Sequence, residues 1–168
     1  SSLTDAYIQD PSEDNQNALT IKRKVVYLNT AFQKDYENFA VDWDTENYTE
    51  ISLADQMIYV FRNGKVKYSC KCISGKPVEG RTPPTGAYFI KEHNEHRVLR
   101  GETYTTPVDS WVRITWSGTG FHAAPWQRWG SWTKDYYKVR GSHGCLNLEP
   151  SVAKEIYNLV QYREAVFI

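Results

Sequence analysis

Apolar and polar positions alternate over several short runs, and a helical period emerges only near the C-terminus. Residues 49–53 are a short strand candidate, and residues 56–62 (QMIYVFR) are β-branched and aromatic. Asn63-Gly64 follows, and residues 65–72 (KVKYSCKC) return. Asn-Gly between two such runs predicts a tight hairpin, because a type I′ turn needs positive φ at both central residues. On the returning strand Val66, Tyr68, Cys70 and Cys72 share one face, which the alternation assigns to the core. Lys65, Lys67, Ser69 and Lys71 share the other, which should be wet.

Residues 75–86 carry Pro77, Pro83 and Pro84 among glycines and read as a loop. Residues 87–91 form a short strand, 93–107 are polar and turn-rich, and 111–116 (WVRITW) alternate again. Residues 121–139 are crowded with Trp126, Trp129, Trp132, Tyr136 and Tyr137 without a helical period. After Pro150, Val152, Ile156, Leu159 and Val160 fall on one helical stripe, and residues 165–168 close the chain as a strand. These elements predict a mainly β, sandwich-like domain with short strands, long loops and one helix. Residues 1–17 are poor in apolar side chains and read as a linker or loosely held terminus. Residues 18–47, with a possible strand at 19–28, read as an extension or the tail of an upstream domain, which leaves 48–168 as the main domain.

Composition narrows the function. The chain has 168 residues, with Lys+Arg at 20 and Asp+Glu at 20. That balance argues against a nucleic-acid binder or a polybasic membrane anchor. No run approaches the length of a membrane-spanning helix, and no N-terminal apolar leader is present, so any signal or anchor should lie outside this sequence.

Three cysteines are candidates for chemistry. Cys70 and Cys72 lie on the apolar face of their strand, and their spacing is not that of a zinc pair, so they read as core. Cys145 follows Gly144, and backbone N–H groups at a glycine turn can converge on an anion. The plainer reading is a cysteine that merely fills the start of a helix. A thiol nucleophile needs a base, because an unperturbed thiol is mostly protonated at neutral pH. His93 and His96 read as solvated loop residues. His143 sits two positions from Cys145 in the same turn. His122 follows a glycine-rich turn and can approach the thiol from a separate strand.

Residues 142–147, Ser142-His143-Gly144-Cys145-Leu146-Asn147, resemble the signature of the L,D-transpeptidase catalytic domain (YkuD type). Gly120-Phe121-His122 resembles the family's first histidine segment, and Thr85-Gly86 after Pro83-Pro84 its Thr-Pro-x-Gly segment. Gln56, Tyr59, Gly64 and Ser74-Gly75-Lys76 match its opening hairpin in order. The resemblance covers residues 48–168. It implies a bacterial cell-wall enzyme acting outside the cytoplasmic membrane. Cys145 would attack a peptidoglycan stem peptide after its third residue, release the terminal D-Ala and hold the acyl group as a thioester. An amine from a second stem would then take it, giving a 3→3 cross-link. His122 matches the base. His143 matches the second histidine, and the oxyanion donors match the amides of His143, Gly144 and Cys145. Ser142 and Asn147 match cleft positions, and the aromatic stretch before Ser142 matches the lid.

The resemblance also implies donor and acceptor stem peptides as partners and carbapenems as covalent inhibitors. No cofactor, metal or nucleic acid is expected, and a monomer is the expected state. Trp116, Trp126 and Tyr104 are the aromatic residues expected to line the cleft, against an ordinary core role for such side chains. One departure concerns the base. The family usually places Gly or Asp after the first histidine, whereas Ala123 stands here, so a backbone carbonyl at or near Ala123 must orient the imidazole. The stretch from His122 to Cys145 is long for the family, which points to an insertion in the lid. Hydrolysis of the same thioester, an L,D-carboxypeptidase, and a non-catalytic wall-binding module are the rival readings. Papain-type enzymes place Cys before His, and sortases lack the Ser-His-Gly-Cys run.

Overall fold

A computed structural model describes residues 46–168. The expected linker at 1–17, the possible strand at 19–28 and almost all of the 18–47 extension lie outside the described residues. Strands β1 (Tyr48–Ser52), β2 (Met57–Arg62) and β3 (Lys65–Lys71) form an antiparallel run, joined by the Asn63-Gly64 turn. Both turn residues take positive φ, 53° at Asn63 and 72° at Gly64. The sheet is completed by β4 (Ala87–Phe89) and the C-terminal β9 (Ala165–Phe167), in the order β3-β2-β1-β9-β4. A second sheet has the order β5-β6-β7-β8. Its strands are β5 (Glu92–Arg100), β6 (Thr105–Arg113), β7 (Gly120–Ala123) and β8 (Leu146–Leu148). A helical turn, α1, spans Tyr137–Arg140, and helix α2 spans Pro150–Leu159. The architecture is mainly β, as expected. No helix among the described residues is long and apolar enough to cross a membrane.

One core joins the two sheets and α2. It contains Ile58, Val60 and Cys72 from the first sheet, Val112, Phe121 and Leu148 from the second, and Ala153 and Ile156 from α2. Each fully buried Val, Ile, Leu or Phe side chain among them contributes about 1.5–3 kcal/mol by leaving water. The first sheet also buries residues on its other face, where Tyr48 stacks on Phe61 at 4.6 Å and meets Phe167 edge-on at 5.6 Å.

Five of the readings above need correction. Val66 is 52% exposed rather than core. The register shifts so that Val60 faces Tyr68 but Phe61 faces Val66, and the unpaired Lys67 turns Val66 to the other face. Residues 93–107 are not loop. Most of them belong to the long β5–β6 hairpin, whose first strand is wet along most of its length and so shows no apolar alternation. Trp116 lies beyond the end of β6, in a turn closed by the Gly118 N–H donating to the Thr115 carbonyl. Cys145 does not sit at a helix start: β8, parallel to β7, separates it from α2. His93 and His96 lie on β5, not in a loop; His93 stacks on Tyr157 at 3.9 Å, and His96 is paired with Asp109 at the surface.

The buried side chain that links this fold to the rest of the molecule is Gln56. It is fully buried with φ of 54°. Its Nε2 donates to the Leu53 carbonyl at 2.8 Å and to Ser74 Oγ at 2.9 Å, and its Oε1 accepts from the Ser74 N–H at 2.9 Å. Gln56→Ala strands the Ser74 amide and should cost about 1–3 kcal/mol in thermal or denaturant unfolding. Cys70→Ala and Cys72→Ala remove small buried side chains and should each cost about 1 kcal/mol in the same measurement.

Candidate active site

Parallel pairing of β7 with β8 sets His122 beside Asn147, two positions after Cys145. The turn that carries Cys145 is tied at both ends to the segment that follows β3. Ile73 and Asn147 exchange backbone hydrogen bonds of 3.0 and 2.9 Å. The Ser142 N–H donates to the Ser74 carbonyl at 3.0 Å, and the Lys76 N–H donates to the Ser142 carbonyl at 3.1 Å. Gly75 lies so close that an added Cβ would stand 1.5 Å from the Arg81 carbonyl oxygen and 3.0 Å from Gly144 Cα. Gly144 itself takes φ of 145°, a conformation that side chains disfavour. The glycine is therefore required by the turn's backbone.

Within the turn, Ser142 Oγ donates to the Cys145 carbonyl and accepts from the Gly144 N–H at 3.1 Å. This corrects the expectation for Gly144, whose amide is already engaged. The amides of His143 and Cys145 have no partner among the described residues, and they are the donors left for an oxyanion. His143 is exposed, and its ring meets Tyr104 at 5.0 Å.

His122 is buried between Trp111, at 6.0 Å ring to ring, and Trp126, at 5.8 Å. Its Nδ1 lies 2.8 Å from the Ala123 carbonyl. A carbonyl only accepts, so Nδ1 carries the proton and the neutral ring keeps its lone pair at Nε2. Burial holds the His122 pKa below the ordinary imidazole value, and the Ala123 carbonyl offsets part of that. Burial pushes the Cys145 thiol up to about 11, against smaller downward pulls from the Gly120 backbone and the Arg113 guanidinium. The pair at rest is therefore a neutral thiol and a neutral imidazole. The thiol's hydrogen-bond partner is the Gly118 carbonyl at 3.6 Å.

Two cavities reach Cys145. One, of about 680 Å³, is lined by His122, Trp126, Ser142, Asn147 and Tyr104 among others. The second, of about 540 Å³, is lined by residues of β5 and β6 that include Arg97, Arg100 and Arg113. Leu99, Tyr104, Ser117, Gly118 and Cys145 border both. Tyr104 and Trp126 thus line the cleft. Trp116 borders neither cavity and instead lies over Lys91 Nζ at 5.6 Å from its ring centre. The sequence reading missed Arg113. The alternation of 111–116 does carry the signal, since Val112 and Ile114 are buried in the core and Trp111 and Arg113 fall on the opposite, cleft face.

Comparison with known proteins identifies the family of the fold. The model of the L,D-transpeptidase catalytic domain (YkuD) matches residues 46–168. L,D-transpeptidase 1 of Mycobacterium tuberculosis (strain ATCC 25618 / H37Rv) is 31% identical over 119 residues, 65% of this chain and 45% of that protein. The chain thus spans less than half the length of that relative. The NMR structure of the catalytic domain of the Enterococcus faecium L,D-transpeptidase superposes with a TM-score of 0.64 at 35% identity, over 73% of this chain and 95% of that one. The structure of that catalytic domain acylated by ertapenem superposes with a TM-score of 0.61 at 33% identity, over 73% and 96%. The family match runs through every described residue, and the chain belongs to the L,D-transpeptidase catalytic-domain family.

Proposed function

We propose that the chain is a peptidoglycan L,D-transpeptidase that forms 3→3 cross-links through a thioester at Cys145. The observation that carries this reading is the Cys145 thiol at the meeting of two cavities, the first of which is also lined by a buried imidazole whose Nδ1 is fixed by the Ala123 carbonyl. Two cavities on one sulfur suit a reaction with two peptide substrates. The donor enters with the carbonyl of its third residue over Sγ. His122 Nε2 takes the thiol proton as sulfur attacks, and the amides of His143 and Cys145 face the developing oxyanion. The amide C–N bond then breaks, the proton passes to the departing D-Ala amine, and the acyl group remains on sulfur. An acceptor amine attacks the thioester, loses a proton to His122, and expels the thiol. Ser142 holds the turn, and Asn147 and Trp126 line the wall of the donor cavity.

The work site that follows from this substrate is the cell wall, outside the cytoplasmic membrane. Carbapenems acylate the same thiol by opening their ring, in line with the ertapenem-acylated relative. Water in place of the acceptor amine would give an L,D-carboxypeptidase. Incubating a tetrapeptide donor with and without an amine acceptor distinguishes the two: a cross-linked product supports transfer, and tripeptide alone supports hydrolysis.

Intact mass after carbapenem treatment should show one adduct per chain. Cys145→Ala should lose it, while Cys70→Ala and Cys72→Ala keep it; an adduct on Cys145→Ala would remove the assignment.

The two histidines should separate by pH. With His122 held below its ordinary value and the thiol at about 11, the wild-type acylation rate should be flat from about pH 7 to 9. In His122→Ala the rate should follow the thiolate fraction and climb about tenfold per pH unit across that range. His143→Ala should be slower at every pH with the flat profile retained, because its place in the turn does not titrate with the thiol. Stopped-flow acylation of each variant from about pH 6 to 9 reads all three profiles, and the reverse pattern would exchange the two roles.

A further inference from the structure

The second cavity holds more positive charge than its own acidic partner neutralises. Arg97, Arg100 and Arg113 line it together with Cys145. One carboxylate meets these guanidiniums. Glu92 Oε1 accepts from Arg113 Nη1 at 2.9 Å, and its Oε2 lies 3.6 Å from Arg97 Nη1 while also accepting from Trp111 Nε1 at 2.7 Å. Arg100 has no acidic partner among the described residues. Arg113 Nε is buried and has no hydrogen-bond partner. A buried guanidinium N–H without an acceptor is costly, and a planar donor fork is shaped to take a carboxylate. Glu92 takes Nη1 on one side of the Arg113 fork, and the guanidinium lines the same cavity as Cys145.

We propose that Arg113, supported by Arg100 and Arg97, forms a subsite for a free carboxylate on the carbon next to the amine that leaves or attacks the Cys145 acyl group. The proposal rests on the acyl-transfer reading above. During acylation that carboxylate belongs to the donor's terminal residue. During deacylation it belongs to an acceptor whose amine carries its own α-carboxylate. Attack by the acceptor is the reverse of departure by the leaving amine, so both amines occupy the same side of the thioester. One cationic subsite therefore serves either. It confines acylation to the end of a stem and turns the amine toward the carbonyl.

The test compares matched pairs. In the donor arm, a tetrapeptide ending in a free carboxylate is compared with the same peptide ending in a carboxamide, followed by release of the fourth residue. In the acceptor arm, D-alanine is compared with D-alaninamide as acceptors for the preformed acyl-enzyme. Any effect of Arg113 on thiol reactivity cancels in each acid-to-amide ratio of kcat/KM. The wild type should favour the acid by about tenfold in at least one arm. Arg113→Gln should bring that ratio to within about twofold, and Arg113→Lys should restore part of it. Arg100→Gln changes an exposed side chain without an ion pair, so it keeps the fold and should lower the ratio about two- to threefold. Loss of preference in the donor arm alone assigns the subsite to the leaving residue, and in the acceptor arm alone to the incoming amine.

A wild type without acid preference in either arm, or ratios unchanged in the variants, overturns the subsite. Carbapenem adduct formation on Cys145, followed in parallel by mass, separates the two failures. Adduct formation with unchanged ratios removes the subsite and leaves acyl transfer standing. No adduct and no turnover of either donor removes both.

Discussion

The structure depends on a short stretch of backbone pairing that holds the turn of Cys145 against the segment after β3. Ile73 and Asn147 bond each other in both directions, and Ser142 bonds both Ser74 and Lys76. These bonds join the second sheet to the first at the place where the chemistry is proposed. They are reinforced from within by Gln56, whose amide reaches Ser74 from the turn between β1 and β2. Position along the turn is therefore inherited from the core of the first sheet. Close approach at Gly75 and positive φ at Gly144 are what let two backbones lie this near. A side chain at Gly75 would collide with the Arg81 carbonyl and crowd Gly144 Cα.

Burial then sets the electrostatics. A thiol pushed up to about 11 is not a standing thiolate, and His122 is not a standing imidazolium. Under the proposed reaction, the ion pair forms only when an acyl carbonyl accepts the sulfur, because the base removes the proton during attack. A neutral resting thiol has a further consequence. Oxidation and stray alkylation follow thiolate character, so a protonated sulfur in a half-buried turn is protected from both.

The hairpin at Asn63-Gly64 and the helical stripe after Pro150 were legible in the sequence, because each rests on local chemistry. A turn type needs particular residues, and an amphipathic helix needs a fixed period. The Ala123 carbonyl as the orienting group was also legible, since an alanine offers His122 nothing else. Other features were hidden for physical reasons. The bulge at Lys67 depends on the register with β2, which no single strand records. Strand β8 is three residues long and apolar at both ends, so nothing in it distinguishes a strand from a helix lead-in. The engagement of the Gly144 amide by Ser142 depends on a turn geometry that the motif's residue order does not specify.

The β5–β6 hairpin shows why a polar stretch can be a structural wall. Its residues escaped notice as strands because few of them face the core. The first strand is wet because it is the outer edge of its sheet, with β6 on one side and no partner strand among the described residues on the other. Along this hairpin, Leu99, Tyr104, Thr106 and Val108 line the first cavity, and Arg97, Arg100 and Arg113 line the second. A wall of this kind has to remain polar, because it meets substrate and water rather than other side chains. Backbone pairing with β6 supplies the order that apolar burial does not. Tyr104, just before β6 begins, touches His143 and borders both cavities. A displacement of this hairpin would alter both cavities together, so the spaces for the two substrates of the proposed reaction are coupled through one element.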